Sequence, residues 1–122
     1  MKWNIDKTRP ICPQIYEQMC CLIVNKKLLS REKIYSVREL AVKLGVNPNT
    51  VQKTYDLLEE KKIIFSVRGS GWYVSEDVSL AKEVLDGVIK GKINTFLEEM
   101  QQLGIDKNTV LNYLTESGEV CE

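Results

Sequence analysis

The sequence predicts a mainly α-helical fold that contains one small β-hairpin. Three observations predict it. Two short helical patterns, each with its own capping residue, follow one another around Gly45; two β-prone runs flank a glycine-containing loop; and a long apolar helical pattern fills most of residues 79–122. At 122 residues the chain has the size of one ordinary domain, which excludes two large ones.

The composition indicates a folded chain without a membrane-spanning segment. Hydrophobic residues make up 43% of the sequence, which excludes a wholly disordered chain. No apolar run approaches the ~20 residues that cross a bilayer, and the first residues lack the apolar stretch of a signal peptide. We therefore expect a cytoplasmic protein with no membrane partner.

The formal net charge is zero, but positive and negative side chains are segregated along the chain. Residues 1–78 carry 13 basic and 9 acidic side chains, a net charge of +4. Residues 79–122 carry 4 basic and 8 acidic side chains, a net charge of −4. A basic N-terminal part favours a nucleic-acid partner, because its surface attracts phosphates.

The reactive side chains do not indicate a metal site or an enzyme. The four cysteines are Cys12, Cys20, Cys21 and Cys121, and the sequence has no histidine. Without a Cys-x-x-Cys pair or an imidazole, we expect no metal and no cofactor. The absence of histidine also removes the usual general base, so an enzyme is not expected. The neighbouring Cys20 and Cys21 are interpreted as small reduced residues of a helix, with oxidant sensing as the alternative.

Before the two capped helices the pattern predicts a first helix and a short strand. Apolar residues at Ile15, Met19, Leu22 and Ile23 follow Pro13 at helical spacing and predict a helix of about three turns that ends near residue 25. The β-prone residues 33–35 predict a short strand.

The capping residues predict a helix-turn-helix. Ser36 and Glu39 have the spacing of a capping box, which begins one helix, and Gly45 stands where a left-handed residue ends it. Asn47 then caps a second helix, in which Pro48 occupies the first position. We expect this helix to continue to about residue 61.

A hairpin completes a winged helix. The β-prone runs 63–67 and 72–74 are joined by a four-residue connection that contains Gly69 and Gly71. A helix-turn-helix followed at once by a hairpin is a winged helix, and the pattern places it at residues 1–76.

The remaining residues, 77–122, are predicted to form a helical dimerisation segment. An apolar helical pattern begins at Ser79 and continues for about 25 residues to Gly104, and Asp106 caps a last helix. Two helices of this length cannot bury so wide an apolar stripe alone, so we expect a second copy of the chain to cover it. The residues expected at this interface are Val84, Val88, Phe96, Leu97 and Met100.

The combined motifs resemble the GntR family of bacterial transcription regulators. The resemblance covers residues 10–75 and is carried by residues 36–41, 44–51, Leu58-Glu59 and 68–71, together with the first-helix run 14–18. The short two-helix tail and the run 47–50 are similar to the YtrA-like subfamily. The resemblance implies a dimeric repressor that binds an inverted-repeat operator in double-stranded DNA, frequently that of an ABC-transporter operon.

The resemblance and the chemistry of the side chains together predict the DNA-contacting residues. Arg38 matches a family position that contacts DNA. Arg68 and Gly69 match the tip of the family's wing, where the glycine allows a close backbone approach and the arginine can enter a minor groove. On the second helix, Asn and Gln side chains pair with adenine edges and Thr contacts a thymine methyl. The full predicted set is Ser36, Arg38, Asn47, Asn49, Thr50, Gln52, Lys53, Arg68, Gly69 and Ser70.

The sequence departs from the family pattern at several positions. Tyr35 occupies a position where the family usually has proline. Val67 and Ser70 occupy positions where the family commonly has basic residues, and Gln52 occupies one where the family often has arginine. The operator sequence therefore cannot be copied from a relative. The alternative function is a winged helix that binds another protein, for which an acidic or apolar recognition face would be expected.

Overall fold

The computed structural model describes residues 3–120, with side chains from residue 3 to residue 116. The chain divides into two compact units, the N-terminal unit (Met1–Asp86) and the C-terminal unit (Gly87–Glu122). The predicted boundary between residues 76 and 77 lies just before the fourth helix and stays a prediction. The helices are α1 (Ile11–Val24), α2 (Val37–Leu44), α3 (Pro48–Glu60), α4 (Ser79–Gln102) and α5 (Lys107–Val120); the strands are β1 (Lys33–Ile34), β2 (Ile64–Val67) and β3 (Gly71–Val74).

The predicted fold class is confirmed, because a winged helix is followed by two further helices. The strands form one antiparallel sheet in the order β1-β3-β2. The hairpin pairs Ile64 with Val74 and Val67 with Gly71. Gly71 therefore belongs to β3, and the connection is the three residues 68–70 where the sequence predicted four.

The core of the N-terminal unit is centred on α3. Its residues Val51, Tyr55 and Leu58 have no exposed surface, and α3 packs against both α1 and α2. The Tyr55 ring lies edge-on to Trp72 of β3 with ring centroids 5.2 Å apart. The Tyr55 hydroxyl donates a 2.7 Å hydrogen bond to the Tyr35 carbonyl. One side chain thus links α3 to the hairpin and to the residue before the α2 cap.

The capping of α2 is the one that the sequence predicts. The Ser36 hydroxyl accepts from the Glu39 amide at 3.1 Å, and the Glu39 carboxylate accepts from the Ser36 amide at 2.8 Å. Gly45 ends the helix with a φ of +66°, and its amide donates to the Val42 carbonyl. This left-handed residue turns the chain toward Asn47, which begins α3.

Residues 4–10 are held against α1 by hydrogen bonds that the sequence did not predict. Gln14 is buried, and its side-chain amide accepts from the Asp6 amide at 2.7 Å and donates to the Asp6 and Pro10 carbonyls at 2.8 Å. Gln18 makes a similar pair with the backbone of Asn4. This segment brings Lys7 to the turn, where its Nζ would lie 2.9 Å from a Cβ on Gly45.

The C-terminal unit has little core of its own. α4 continues without interruption through Gly87 and Gly91, Gly104 follows it with a φ of +80°, and Asp106 caps α5 by accepting from the Thr109 amide at 2.9 Å. Of its described side chains only Val110 is buried. No described helix is long and apolar enough to span a membrane.

Burial decides the state of Cys20. Its side chain is inside the core, and desolvation raises the pKa of its thiol to about 12. A thiol with so high a pKa stays protonated and is a poor nucleophile at neutral pH. Cys121 lies outside the described residues.

The turn at Gly45 gives a first prediction. Replacing Gly45 with Ala should lower the free energy of unfolding by about 1–2 kcal/mol, because a Cβ disfavours the left-handed conformation. Urea denaturation checks this. Gly45→Asn is the matched control, since Asn adopts this conformation more readily and should lose less. Equal losses for Ala and Asn would contradict the explanation.

The α2 capping box gives a second prediction, on pH. Hydrogen bonding with Ser36, and to a smaller extent the charge of Lys33, holds the pKa of Glu39 below its ordinary value of 4.5. A carboxyl whose pKa is lower in the folded state stabilises the fold above its unfolded pKa, and this contribution is lost as pH falls through the folded value. Relative to Glu39→Gln, which does not titrate, the wild type should therefore lose stability as the pH falls through and below the ordinary value of 4.5. Urea denaturation at several pH values checks this; a constant difference would contradict it.

Candidate nucleic-acid interface

The exposed face of α3 carries the residues predicted to read bases. Asn49, Gln52 and Lys53 are exposed, whereas Val51 and Tyr55 on the opposite face are fully buried. The alternation follows the helical period, so packing of one face leaves the other open to a partner. Asn49 lies in the first turn of α3, where the positive end of the helix dipole also favours a phosphate.

Asn47 and Thr50 both form hydrogen bonds that stabilise the start of α3. The Asn47 side chain accepts from the Asn49 amide at 2.8 Å, so its oxygen is occupied as a cap. Thr50 is half-buried, and its carbonyl accepts from the Thr54 hydroxyl at 2.8 Å. Thr54 is in turn 3.1 Å from the Cys12 sulfur of α1. These contacts fix the depth and orientation of the first turn of α3.

Gln52 is oriented by a neighbour on the same helix. Its Nε2 donates a 2.9 Å hydrogen bond to Asp56 Oδ1, and both side chains are exposed. The contact joins residues four apart, which lie one above the other on a helix. The spacing of the two residues was visible in the sequence, but Asp56 was not among the predicted site residues.

The cations of the predicted site have no carboxylate partner in the described part of the chain. Arg38, in the first turn of α2, and Lys53 are exposed, as is Arg68 in the hairpin loop. The ion pairs between described residues involve other cations: Arg9 with Asp6, Arg31 with Glu76 and Lys82 with Asp86. No described carboxylate therefore compensates the charges of Arg38, Lys53 and Arg68, and these cations are available to attract a polyanion.

The hairpin loop is open at its tip. Gly69 has a φ of +79°, and a Cβ built on it meets nothing within 4 Å. Ser70 donates its amide to the Val67 carbonyl at 2.9 Å, and its hydroxyl is hydrogen-bonded to that of Tyr73. Arg68 is thus exposed next to Gly69, and the other end of the loop is held to β3 by the hydrogen bond between Ser70 and Tyr73. The predicted Ser36, by contrast, is half-buried and uses its hydroxyl in the α2 cap.

Lys33 is a candidate that the sequence analysis missed. It pairs with Tyr73 across the sheet, and its Cε lies 3.1 Å from the position of a Cβ on Gly71. The missing side chain of Gly71 leaves room for the lysine, which carries its amine to the base of the hairpin loop. Only the pairing of β1 with β3 reveals this, and residues 33–35 by themselves contain no signal for their partner strand.

Comparisons with known proteins agree with this architecture. A family model described as "Bacterial regulatory proteins, gntR family" matches residues 13–74. The HTH-type transcriptional repressor YtrA of Bacillus subtilis is 42% identical over 97 residues, covering 80% of this chain and 70% of YtrA.

Solved structures are similar over the same region. A GntR family transcriptional regulator from Listeria monocytogenes superposes with a TM-score of 0.81 at 38% identity, covering 92% of this chain and 98% of that one. The DNA-binding domain of AraR, solved in complex with operator ORR3, superposes with a TM-score of 0.50 at 30% identity and covers 52% of this chain and 77% of that one. The chain therefore belongs to the GntR family of transcription regulators that bind DNA, in the YtrA-like subfamily, and its relatives are regulators and not enzymes.

Proposed function

We propose that the protein is a cytoplasmic repressor that binds an inverted-repeat operator as a homodimer. The observation that carries the proposal is that Asn49, Gln52 and Lys53, which are polar or basic, are exposed on α3 while Val51 and Tyr55 on the opposite face are fully buried. Arg38 on α2 and Arg68 on the hairpin loop add unpaired cations from the two neighbouring elements. Asn49, Gln52 and Lys53 are neither acidic nor apolar, whereas a protein-binding winged helix would be expected to present an acidic or apolar recognition face.

The side chains divide into base readers and phosphate contacts. Gln52 and Asn49 carry amides that donate and accept at once, which suits the edge of a base pair in the major groove. Arg38 and Lys53 are assigned to phosphates, as is Lys33 beside the hairpin loop. Arg68 is assigned to the minor groove, where an arginine is attracted by the negative potential of A·T-rich sequence. The remaining predicted residues, Ser36, Asn47, Thr50, Gly69 and Ser70, contribute mainly by shaping these elements.

The relatives support repression as the direction of control. YtrA of Bacillus subtilis is named a transcriptional repressor, and the AraR domain was solved on an operator. The resemblance to the YtrA-like subfamily favours an operon that encodes an ABC transporter as the target. A repressor of this kind acts by occupying DNA that the transcription machinery needs.

A second copy of the chain is the proposed cover for the C-terminal unit. Ile89, Ile93 and Phe96 of α4 are 45%, 51% and 40% exposed, and Met100 falls on the same face at 3.6 residues per turn. Among the described residues, α4 and α5 are not one of the closely packed pairs of elements, and these side chains stay about half exposed within their own unit. An apolar surface of this kind marks an interaction site. A two-fold dimer places two recognition helices on half-sites about one helical turn of DNA (~34 Å) or a multiple of it apart.

The predicted interface residues fit this stripe to different degrees. Phe96 and Met100 lie on it, and Leu97 is next to it and half-buried. Val84 belongs to the N-terminal unit and packs in part against its core, and Val88 lies nearer to Val84 than to Phe96 around the helix. The proposed interface therefore extends the predicted set by Ile89 and Ile93.

The division of roles predicts two patterns of binding loss. On a duplex that the protein selects from a random-sequence library, Gln52→Ala or Asn49→Ala should cost ~1–3 kcal/mol and relax the preference at one or two positions. Arg38→Ala and Lys53→Ala should weaken binding to selected and scrambled duplexes alike and reduce the salt dependence by about one phosphate per half-site.

Fluorescence anisotropy at several salt concentrations measures both patterns. Lys27→Ala, on an exposed lysine of the loop after α1, is the matched control and should change neither. If all four variants bind DNA as the wild type does while circular dichroism shows them folded, the DNA-binding role of this face is wrong, and binding to a protein partner becomes the better explanation.

The dimer prediction is tested on the exposed stripe. Ile93→Asp should convert a dimer into a monomer at micromolar concentration, because a carboxylate would have to be buried at the interface. Leu29→Asp, at a residue that is 57% exposed in the N-terminal unit, should leave the dimer intact. Sedimentation of the full chain decides the matter. A wild type that sediments as a monomer, both alone and with DNA, would refute the proposed dimer.

A further inference from the structure

The hydrogen bond between Gln52 and Asp56 restricts the reading amide of α3. Gln52 Nε2 lies 2.9 Å from Asp56 Oδ1, and this is the one hydrogen bond of either side chain within the described part of the chain. An ionised carboxylate only accepts hydrogen bonds. The Gln52 amide therefore turns its nitrogen toward Asp56 and its oxygen away, because the opposite orientation would set two acceptors against each other.

The fixed orientation leaves a defined pair of groups for DNA. One N–H of Gln52 is used by Asp56, and the second N–H and Oε1 remain. This donor and acceptor match the N7 acceptor and the N6 donor of adenine in the major groove. A glutamine without this hydrogen bond would rotate freely before binding. Fixing it on DNA would then cost conformational entropy and lower the affinity.

Asp56 favours recognition of one base through Gln52, but its negative charge should weaken binding to DNA of any sequence. Asp56 is exposed on the same α3 surface as Gln52 and Lys53, which has to approach the phosphates. A carboxylate there repels the backbone of any sequence. Its two effects can therefore be separated by experiment, since the orientation of Gln52 affects only the preferred sequence and the repulsion affects every sequence.

We propose that Asp56 is a positioning residue for sequence recognition, which holds the Gln52 amide in the orientation that reads adenine. The proposal rests on the proposed function, in which Gln52 reads a base. A merely structural role of this pair, as an ordinary contact between residues four apart on a helix, would alter binding to preferred and scrambled DNA by the same factor.

The test is a double-mutant cycle on binding, with the full-length protein and two duplexes, one selected from a random library and one scrambled. Asp56→Ala should raise the affinity for scrambled DNA and lower the ratio of selected to scrambled affinity by about threefold or more. In the Gln52→Ala background the same substitution should leave the ratio unchanged. Asp56→Asn, which keeps a side-chain oxygen as acceptor, should retain more of the ratio than Asp56→Ala.

A control on the same helix separates charge from positioning. Glu60 is exposed near the end of α3, so Glu60→Ala removes an equal charge and should leave the ratio unchanged. The proposal is overturned if Asp56→Ala keeps the wild-type ratio, or lowers it equally with and without Gln52, in variants that circular dichroism shows folded. A wild type that prefers no duplex would instead refute the proposed function itself.

Discussion

Tyr55 connects α3 to the hairpin and to the start of α2, the three elements that carry the predicted DNA-contacting residues. Its fully buried ring lies edge-on to Trp72 of the hairpin, and its hydroxyl bonds to the Tyr35 carbonyl just before the α2 cap. Desolvation raises the pKa of that hydroxyl well above its ordinary value, so the donor keeps its proton at any physiological pH. Because α3 carries Tyr55, the orientation of the exposed α3 face relative to the loop at 68–70 is set by this one side chain and its neighbours.

The local part of this architecture could be predicted from the sequence. Three local features were predicted: the capping box of Ser36 and Glu39, the left-handed Gly45 and the cap at Asn47. Each of them depends only on residues within about four positions along the chain. Each signal has a direct chemical cause in a nearby backbone amide. The inward and outward faces of α3 follow from the 3.6-residue period for the same reason.

Contacts between distant residues could not be predicted. The clamp of Gln14 on Asp6 and the approach of Lys33 to Gly71 depend on which segments meet in the folded chain, and neither glutamine nor lysine signals its partner. On α4 the sequence predicts the apolar stripe, but it does not show that Val84 packs in part on the core of the N-terminal unit while Ile89 stays exposed. The roles of these residues toward DNA and toward a second copy remain predictions.

The separation of a buried and an exposed face on α3 has a consequence for the evolution of such regulators. Asn49, Gln52, Lys53 and Asp56 can all be replaced without disturbing Val51, Tyr55 or Leu58, because none of the four contributes to the core. After gene duplication, one copy can accumulate substitutions at these exposed positions while its fold and stability stay under unchanged selection. Paralogues built on this scaffold are therefore free to acquire separate regulons quickly, and their divergence should be concentrated on a few surface codons of one helix.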